Sequence, residues 1–567
     1  MSLVGAVIPQ NREMIPNFGP GLAIIGVVYA GLAVTVVIPL LSVLVQAFSD
    51  GGGFDVDNLK RVMTSATIIR AVGNTISISV LTVIIAAALG VSLAWLNART
   101  DMPFKRFFEP LNMIPFYLSS IVGALSWQVV AAPRSGLLNN WLAPFFDTPP
   151  FNIYSIWGIS LVLGIFYTPY IYLFTLGSLR SMDASLEEAA RISGASVIQT
   201  ALRVTIPLSA PAIISSCMLV FVTAAGIFGV PLVLGTPARI STLSTLIYDN
   251  IISYPSDYGT AAILSLGLFL FVLILTLIQI RILRGRAFTT VTGKGYRPQT
   301  ANLGRYGWVG VGANGIYLLF VLGPFLALVM VSFMDAWVGH FELGRLTLQN
   351  YYHVLFLDET ARRGFFNSMF ISPVGATISV FICLALALVV QRTRLPGRGG
   401  IVWLTLLPLT VPGVVLGLGF LIAYLKTPLY GTLWIITIAY IVGFLPTGYR
   451  NMEAQVLAVS RELDESARMS GANWWQSMTR IILPLVAPGM VATWMLMFVA
   501  FIREVSASMM LFTYGTETMS IALIRIMDYE AYGISGAFGV LQTILLLGCV
   551  AVIRLFSNMR DDLRANA

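Results

Sequence analysis

Long apolar runs separated by short polar segments dominate the chain. A helix needs about 20 apolar residues to cross the hydrocarbon core of a bilayer, and most of these runs reach that length. We predict twelve spans, at residues 21–47, 70–96, 107–131, 153–178, 206–233, 260–280, 313–334, 366–390, 401–425, 432–449, 482–510 and 536–556. The first run is too long for the core of a signal peptide and is expected to stay in the mature protein. The pattern therefore predicts an all-α polytopic membrane protein with about 12 transmembrane helices.

The composition agrees with this prediction. Hydrophobic residues make up 57% of the chain and charged residues 11%, with a mean hydropathy of +0.83. Soluble domains carry about 25% charged residues, so this chain has too few to cover water-exposed globules. The three cysteines lie inside apolar runs and the two histidines share one loop, so no disulfide framework and no metal site are expected.

The basic residues fix the predicted orientation. If the N-terminus is cytoplasmic, 23 of the 34 Lys and Arg residues fall in cytoplasmic segments. The positive-inside rule then places both termini in the cytoplasm. The net charge of +8 comes from these loops, so we expect the partner surface to be a lipid bilayer, with no nucleic acid bound.

A long motif occurs twice. The segment SLEEAARISGASVIQTALRVTIPLSAP at 185–211 returns as ELDESARMSGANWWQSMTRIILPLVAP at 462–488, an offset of 277 residues. Earlier matching pairs, such as Asn74 with Asn367, are 293 residues apart. The difference of 16 predicts a shorter outer loop in the second half. Six spans separate the copies, so both copies lie on one side of the membrane. We predict two parallel six-helix repeats, 1–295 and 296–567, joined by a basic segment.

Each repeated loop is predicted to form two short helices that meet at a glycine. Ser185 with Glu188, and Ser196 with Gln199, have capping-box spacing, and Gly194 or Gly471 can adopt the positive φ that ends the first helix. Mostly small residues would let another protein approach the backbone closely. The predicted contact residues are Glu188, Ala189, Ala190, Gly194, Ala195, Glu465, Ser466, Ala467, Gly471 and Ala472. A solvated loop with good caps would explain one copy, but two copies on one side argue against it.

The two loops resemble a known motif. EEAARISG with the later IPL, and DESARMSG with the later ILPL, are similar to the EAA loop of the permease subunits of bacterial ABC importers, at 183–207 and 460–484. Ser466 and the segment 204–207 depart mildly from that motif. The fused layout, and REVSASMMLFTYGTETMS at 503–520, resemble the iron(III) permease group.

The resemblance implies the type I ABC importer permease fold in a bacterial cytoplasmic (inner) membrane. Each loop would then be a coupling helix held in a groove of an ATP-hydrolysing subunit. It also implies two copies of an ABC ATPase subunit on the cytoplasmic side and a periplasmic solute-binding protein. That protein is expected to dock on outer loops such as 48–69, 234–258, 335–365 and 511–535.

No phosphate-binding loop is expected in the chain itself. The one Gly-Lys step, at 292–295, lacks both the earlier glycine and the Ser or Thr of a Walker A motif. We therefore expect no enzyme activity and no bound cofactor in this chain, with ATP and Mg²⁺ bound by the partner subunit.

Candidate residues for the translocation path are polar residues in the fifth and eleventh spans. Ionisable side chains inside a membrane are functional candidates, and Arg503 with Glu504 are the clearest case, although a pair that reaches the interface from a span's end is an alternative. Thr223, Thr493 and Ser506 are weaker candidates, because Ser and Thr also serve helix packing. Pro412 and Gly413 suggest a bent ninth span.

The substrate stays open at this point. Iron(III) leads by resemblance, with transport by alternating access, but phosphonate, polyamine and thiamine permeases have similar layouts, and no His/Asp/Tyr cluster in the sequence indicates an iron site. An ion-coupled secondary transporter is an alternative of another class. It would be expected to carry acidic residues at mid-membrane, where only Glu504 qualifies.

Overall fold

The computed structural model describes residues 18–50, 53–54, 56–183, 185–283, 301–393 and 396–565. These residues are almost entirely helical, with one antiparallel pair of two-residue strands, Ser49–Asp50 and Gly53–Phe54. The predicted boundary at 295/296, most of the basic segment between the halves and the N-terminal residues lie outside the described residues.

Ten of the twelve predicted spans are continuous helices within the described part of the chain. Numbered by their predicted order, spans 1, 2, 4, 5 and 6 are Ile25–Phe48, Ala66–Arg99, Ile156–Ser181, Val197–Gly226 and Tyr258–Ile282. Spans 7, 8, 10, 11 and 12 are Gly304–Ser332, Glu359–Arg392, Leu433–Ala458, Met478–Arg503 and Tyr532–Ala551. Shorter helices between them include Val56–Thr64, Leu137–Leu142, Ser185–Ile192, Gln349–Tyr352, Arg461–Met469, Ser508–Leu511 and Met519–Tyr529. The all-α polytopic fold is confirmed.

Spans 3 and 9 are broken helices. Lys105–Tyr117 meets Ser120–Ala131 at 98°, and Arg398–Thr410 meets Gly413–Tyr424 at 110°. Proline disfavours the α conformation of the residue before it, and Val411 before Pro412 is extended. The bend of span 9 was predicted from Pro412 and Gly413, but span 3 was predicted as one run, which is wrong because hydropathy does not detect two extended residues inside an apolar segment.

A third bent pair lies where the sequence predicted an outer loop. Gly229–Ala238 and Leu243–Ile252 meet at 78°, so the predicted loop 234–258 is largely helical. If each bent pair counts as one span, the described residues contain up to 13 spans.

Spans 5 and 11 begin and end earlier than predicted. They were placed at 206–233 and 482–510, with Pro207 and Pro484 in their first turns. The helices already start inside the repeated loops, and a π-helical turn, Ala201–Thr205 or Met478–Ile482, precedes each proline. A π turn relieves the clash that a proline creates in a continuous α-helix, so the apolar span extends the loop helix without interruption.

The first span of each half packs against the broken span of the other half. Ser42 of span 1 donates to the carbonyl oxygen of Gly419 in span 9 at 3.0 Å. In the reciprocal contact, Asn112 of span 3 donates to Asn314 of span 7 at 2.8 Å. This exchange places both broken spans at the contact between the halves.

The offset change predicted from the repeats is confirmed. Spans 3 and 4 are joined by residues 132–155, and spans 9 and 10 by residues 425–432, so the second half is 16 residues shorter at this loop. We call the end of the bundle that carries Ser185–Ile192 and Arg461–Met469 the loop face, and the opposite end the far face.

Candidate functional site

The elbow of each repeated loop is formed by a glycine in the left-handed region. Gly194 has φ +88° and Gly471 has φ +85°. The N–H of Ala195 donates to Ala190 at 3.1 Å, and that of Ala472 to Ala467 at 3.0 Å. These six-to-one hydrogen bonds are typical of a Schellman motif with glycine at the position after the C-cap. The predicted helix end is thus confirmed in both halves.

The second helix of each loop starts with the predicted cap. Ser196 and Gln199 form a reciprocal capping box, and Asn473 with Gln476 makes the same two bonds at 3.0 and 2.8 Å. The predicted box of Ser185 with Glu188 is wrong, because Ser185 already lies in the first helix and donates its N–H to Asp183.

The first loop is anchored by a buried ion pair that involves Glu187, the neighbour of the predicted Glu188. The carboxylate of Glu187 lies 3.6 Å from Arg99 and accepts a hydrogen bond from Thr205 at 2.6 Å. Arg99 also donates to the carbonyl oxygen of Met182 at 3.0 Å. Both charged side chains are almost fully buried. Glu187 therefore ties the loop to the end of span 2 and to the start of span 5, while Glu188 is half-buried at its edge.

The second loop is anchored by the matching arginine. Arg392, at the end of span 8, donates to the carbonyl oxygens of Val456 and Val459. Val459 and Met182 occupy matching places in the repeats. In each half, an arginine at the end of a 34-residue helix therefore holds the point where the preceding span ends and the loop begins.

The predicted contact residues are only partly exposed. Ala189, Gly194, Ser466 and Gly471 are exposed, and Ala467 is buried. The other described side chains are half-buried: Glu188, Ala190, Ala195 and Ala472. The side chain of Glu465 lies outside what the structure describes.

Sequence reasoning missed the most exposed part of the loops. Ile192 is 88% exposed and Met469 is 89% exposed, and the two residues match at the offset of 277. Leu186 and Leu463 form a second matched pair, each about half exposed. We call Ile192 and Met469 the apolar tips. Their matching positions in the two repeats were the available signal in the sequence.

Arg503 joins the two halves at the break of span 3. It is the last residue of span 11, and its guanidinium donates to the carbonyl oxygens of Phe116 and Leu118. A broken helix leaves carbonyl groups without helical partners, and the arginine satisfies two of them. Arg503 thus lies at the end of span 11, which was predicted to continue to residue 510, and its side chain meets the other half.

Glu504 caps a short helix in its own half. Its carboxylate accepts hydrogen bonds from the N–H groups of Ala507 at 2.8 Å and Ser508 at 3.1 Å. The carboxylate also lies close to the break of span 9, since a Cβ placed on Gly413 would be 3.5 Å from it and 2.8 Å from the Cβ of Ser506. Arg503, Glu504 and Ser506 therefore cluster between the two broken spans.

The two threonines of the predicted path do not join this cluster. Thr223 and Thr493 each donate to a carbonyl oxygen one turn earlier in their own helix, Leu219 and Gly489. Thr493 is buried and lies ten residues before Arg503, a rise of about 15 Å. The packing alternative fits Thr493 better than a role in the path.

Comparison with known proteins gives the family. A model of the family described as binding-protein-dependent transport system inner membrane component matches residues 86–285 and again 384–560, one match in each half. A putative ferric transport system permease protein of Haemophilus influenzae is 28% identical over 493 residues, which are 86% of this chain and 77% of that protein. A ferric transport system permease protein of Actinobacillus pleuropneumoniae is 26% identical over 93% of this chain and 77% of that protein.

A putative 2-aminoethylphosphonate transport system permease protein of Salmonella typhimurium is 28% identical over 39% of this chain and 82% of that protein. The two family matches cover more than half of the chain, and they fall on the two repeats whose loops, anchoring arginines and broken spans correspond. The chain therefore belongs to the family of binding-protein-dependent transport system inner membrane components, as an ABC importer permease with two fused six-span units.

Proposed function

We propose that this permease imports iron(III) across a bacterial cytoplasmic membrane, with both loops bound to ATPase subunits. A periplasmic binding protein delivers the substrate to the far face, and alternating access carries it to the cytoplasm. Two copies of a separate ATPase bind ATP and Mg²⁺ and supply the energy. Both termini and the loop face lie in the cytoplasm, in agreement with the distribution of basic residues.

The observation that carries the coupling role is the matched exposure of the apolar tips. A large apolar side chain that is almost fully exposed on a short, well-capped helix costs free energy in water, about 1.5–3 kcal/mol relative to burial. The chain carries that cost at the same position of both repeats, Ile192 and Met469. Burial in a groove of a partner protein accounts for both, and helix-in-groove recognition uses such anchors.

The anchoring of the loops supports the same role. A coupling element transmits motion only if it moves as a unit with the spans that it drives. Arg99 ties Glu187 of the first loop and the end of span 4 to span 2. Arg392 ties the end of span 10, where the second loop begins, to span 8. The second helix of each loop continues into span 5 or span 11. A displacement of either loop is therefore transferred to three spans of its half.

Iron(III) is favoured as the substrate by the ferric permeases, which align with most of this chain. The phosphonate permease aligns with 39% of the chain, and 2-aminoethylphosphonate is the second candidate. The ion-coupled alternative is not retained, because the family is that of ABC importer permeases.

The coupling role is tested by charge at the apolar tips. The double variant Ile192→Glu, Met469→Glu is expected to lose the co-purifying ATPase subunit and substrate-stimulated ATP hydrolysis, because two carboxylates would be buried in an apolar groove. Ile252→Glu is the matched control for co-purification of the ATPase, since Ile252 is 59% exposed at the far face, away from both loops. Retention of the ATPase by the double variant, at wild-type stoichiometry, would contradict the proposal.

The substrate is tested by uptake. Cells that express the chain with its ATPase and binding protein are supplied with radioactive iron(III) citrate or with labelled 2-aminoethylphosphonate. We expect iron uptake that stops when ATP is depleted and continues when ion gradients are collapsed. Uptake of the phosphonate alone would overturn the iron assignment and leave the coupling role intact.

A further inference from the structure

Three potential metal ligands from three elements converge on the far face of the second half. His353 opens a π-helical turn, Asp358 is the N-cap of span 8, and Glu530 is the C-cap of Met519–Tyr529. One ligand atom of each residue lies within 4.8 Å of the other two. No metal site was expected from the positions of the cysteines and histidines in the sequence, and four spans separate Glu530 from the other two residues.

The carboxylate of Asp358 is held in place by its neighbours. One oxygen accepts the N–H of Ala361 at 2.7 Å, and the other accepts the hydroxyl of Tyr529 at 3.3 Å. Asp358 is only 8% exposed. One of its oxygens lies within 4.8 Å of ligand atoms of His353 and Glu530. The Nε2 of His353 and the Oε1 of Glu530 are 3.5 Å apart, and their side chains are about a third and a quarter exposed. One ligand is therefore fixed, and the other two can adjust.

The first half offers an internal comparison. At matching positions of the repeats it has Lys60, Ser65 and Ser253. Ser65 is likewise the N-cap of its span, so the cap does not require a carboxylate. The three ligand types are thus a property of the second half and not a requirement of the fold.

Two carboxylates and one imidazole meet closely in this cluster. The ligand atoms of Asp358, Glu530 and His353 lie within 4.8 Å of one another. Carboxylates this close repel each other. A metal ion bonded to nitrogen and oxygen at about 2.0–2.2 Å would satisfy all three groups once His353 and Glu530 move closer to Asp358.

The geometry points to a site for one transition-metal ion formed by His353, Asp358 and Glu530. One imidazole and two carboxylates suit iron, manganese or zinc, and three protein ligands leave coordination positions for water or an anion. The site does not depend on which solute the permease imports. The same far-face loops are those on which the binding protein is expected to dock.

The test uses the purified permease in lipid nanodiscs and Co²⁺ as the probe. Equilibrium dialysis is expected to give one bound Co²⁺ per chain, with visible absorption bands of a nitrogen–oxygen site. His353→Ala and Glu530→Gln are each expected to weaken binding at least about tenfold, since even the loss of an outer partner of a ligand costs 10–100-fold. Asp358→Asn tests the third ligand while it keeps a good N-cap residue.

His340→Ala is the matched control. His340 lies on the same face and pairs with Glu342 at 2.9 Å, but these two residues belong to no three-ligand cluster in the described part of the chain. The Co²⁺ binding curve of His340→Ala is expected to equal that of the wild type. Absence of Co²⁺ binding, or equal affinity in wild type and His353→Ala, would overturn the site and reduce the cluster to an ion pair beside a helix cap.

Discussion

The guanidinium of Arg503 in the second half lies 3.4 Å from the carbonyl oxygen of Leu118 in the first half, and it donates a hydrogen bond to that oxygen. The matching residue of the first half, Gly226, lies against Pro412, where a Cβ would be 3.1 Å from the ring. In one contact the end of span 11 meets the break of span 3, and in the other the end of span 5 meets the break of span 9. The repeats thus keep the same contact geometry, with a charged hydrogen bond on one side only.

The variant Arg503→Gly would give both sides the chemistry of the first half. It removes a charged donor from two carbonyl oxygens, and hydrogen bonds to charged groups contribute about 1.5–3 kcal/mol. We expect the free energy of unfolding to fall by about 2 kcal/mol and coupled transport to be lost. Thermal unfolding in detergent and uptake in cells measure the two effects.

Two further variants separate the hydrogen bonds from the bulk of the side chain. Arg503→Lys keeps the charge but loses the planar fork, and it should fall between wild type and Arg503→Gly. Ser506→Ala, three residues later, should leave the stability within about 0.5 kcal/mol of wild type. An unchanged unfolding transition in Arg503→Gly would show that this contact does not hold the halves together.

The contact of Gly226 with Pro412 is close enough to be cross-linked. In a background without Cys217, Cys383 and Cys549, the pair Gly226→Cys, Pro412→Cys should oxidise once the Cβ atoms, 3.1 Å apart, separate by about 0.4 Å, since disulfides join Cβ atoms about 3.5–4.5 Å apart. If transport separates the halves here, oxidation stops uptake and a reductant restores it. Full uptake by the oxidised pair would exclude movement at this contact, and Gly226→Cys alone controls for the substitution.

The sequence predicted the ten continuous spans and the elbows, because both depend on local physics. Apolar runs of bilayer length and a glycine after a capped helix produce the same structure in most contexts. Two breaks were not predicted: the one inside span 3, and the one between Gly226 and Gly229, where span 5 ends before its predicted limit. The residues on both sides of each break are equally apolar. These breaks are stabilised by contacts with the other half, such as that of Arg503 with Phe116. Such contacts between distant residues cannot be predicted from the local sequence.

The choice between Glu187 and Glu188 shows the same limit on a smaller scale. Neighbouring residues of a helix point about 100° apart, so only one of them can face Arg99. The resemblance to the EAA motif drew attention to Glu188, whereas the position of Arg99, far earlier in the chain, decides that Glu187 is the buried partner. The exposed residue of a motif and its structural anchor can therefore be adjacent and still have different roles.

Removal of the buried carboxylate should damage the protein more than removal of its neighbour. Glu187→Ala leaves Arg99 as a buried charge without a carboxylate, which costs about 3–5 kcal/mol, whereas Glu188→Ala should cost less than about 1 kcal/mol. Thermal unfolding of the two variants measures the difference. Equal destabilisation by the two substitutions would show that the ion pair contributes little.

The two elbows should respond equally to alanine. A Cβ on Gly194 or Gly471 meets no atom within 4 Å, so the cost of each substitution is that of the left-handed conformation, about 1–2 kcal/mol for a residue with a side chain. The sites belong to separate loops, so the double variant should show the sum of the single effects.

Gly177→Ala is the matched control for the elbows. Its Cβ also meets no atom within 4 Å, but Gly177 lies inside the helix of span 4, where alanine is favoured over glycine by up to about 1 kcal/mol. Unfolding midpoints should therefore fall for the elbow variants and rise or stay constant for the control. An elbow variant that unfolds at the wild-type temperature would mean that its loop helix can end without a left-handed residue, and the ATPase contact of that half should then also survive the substitution.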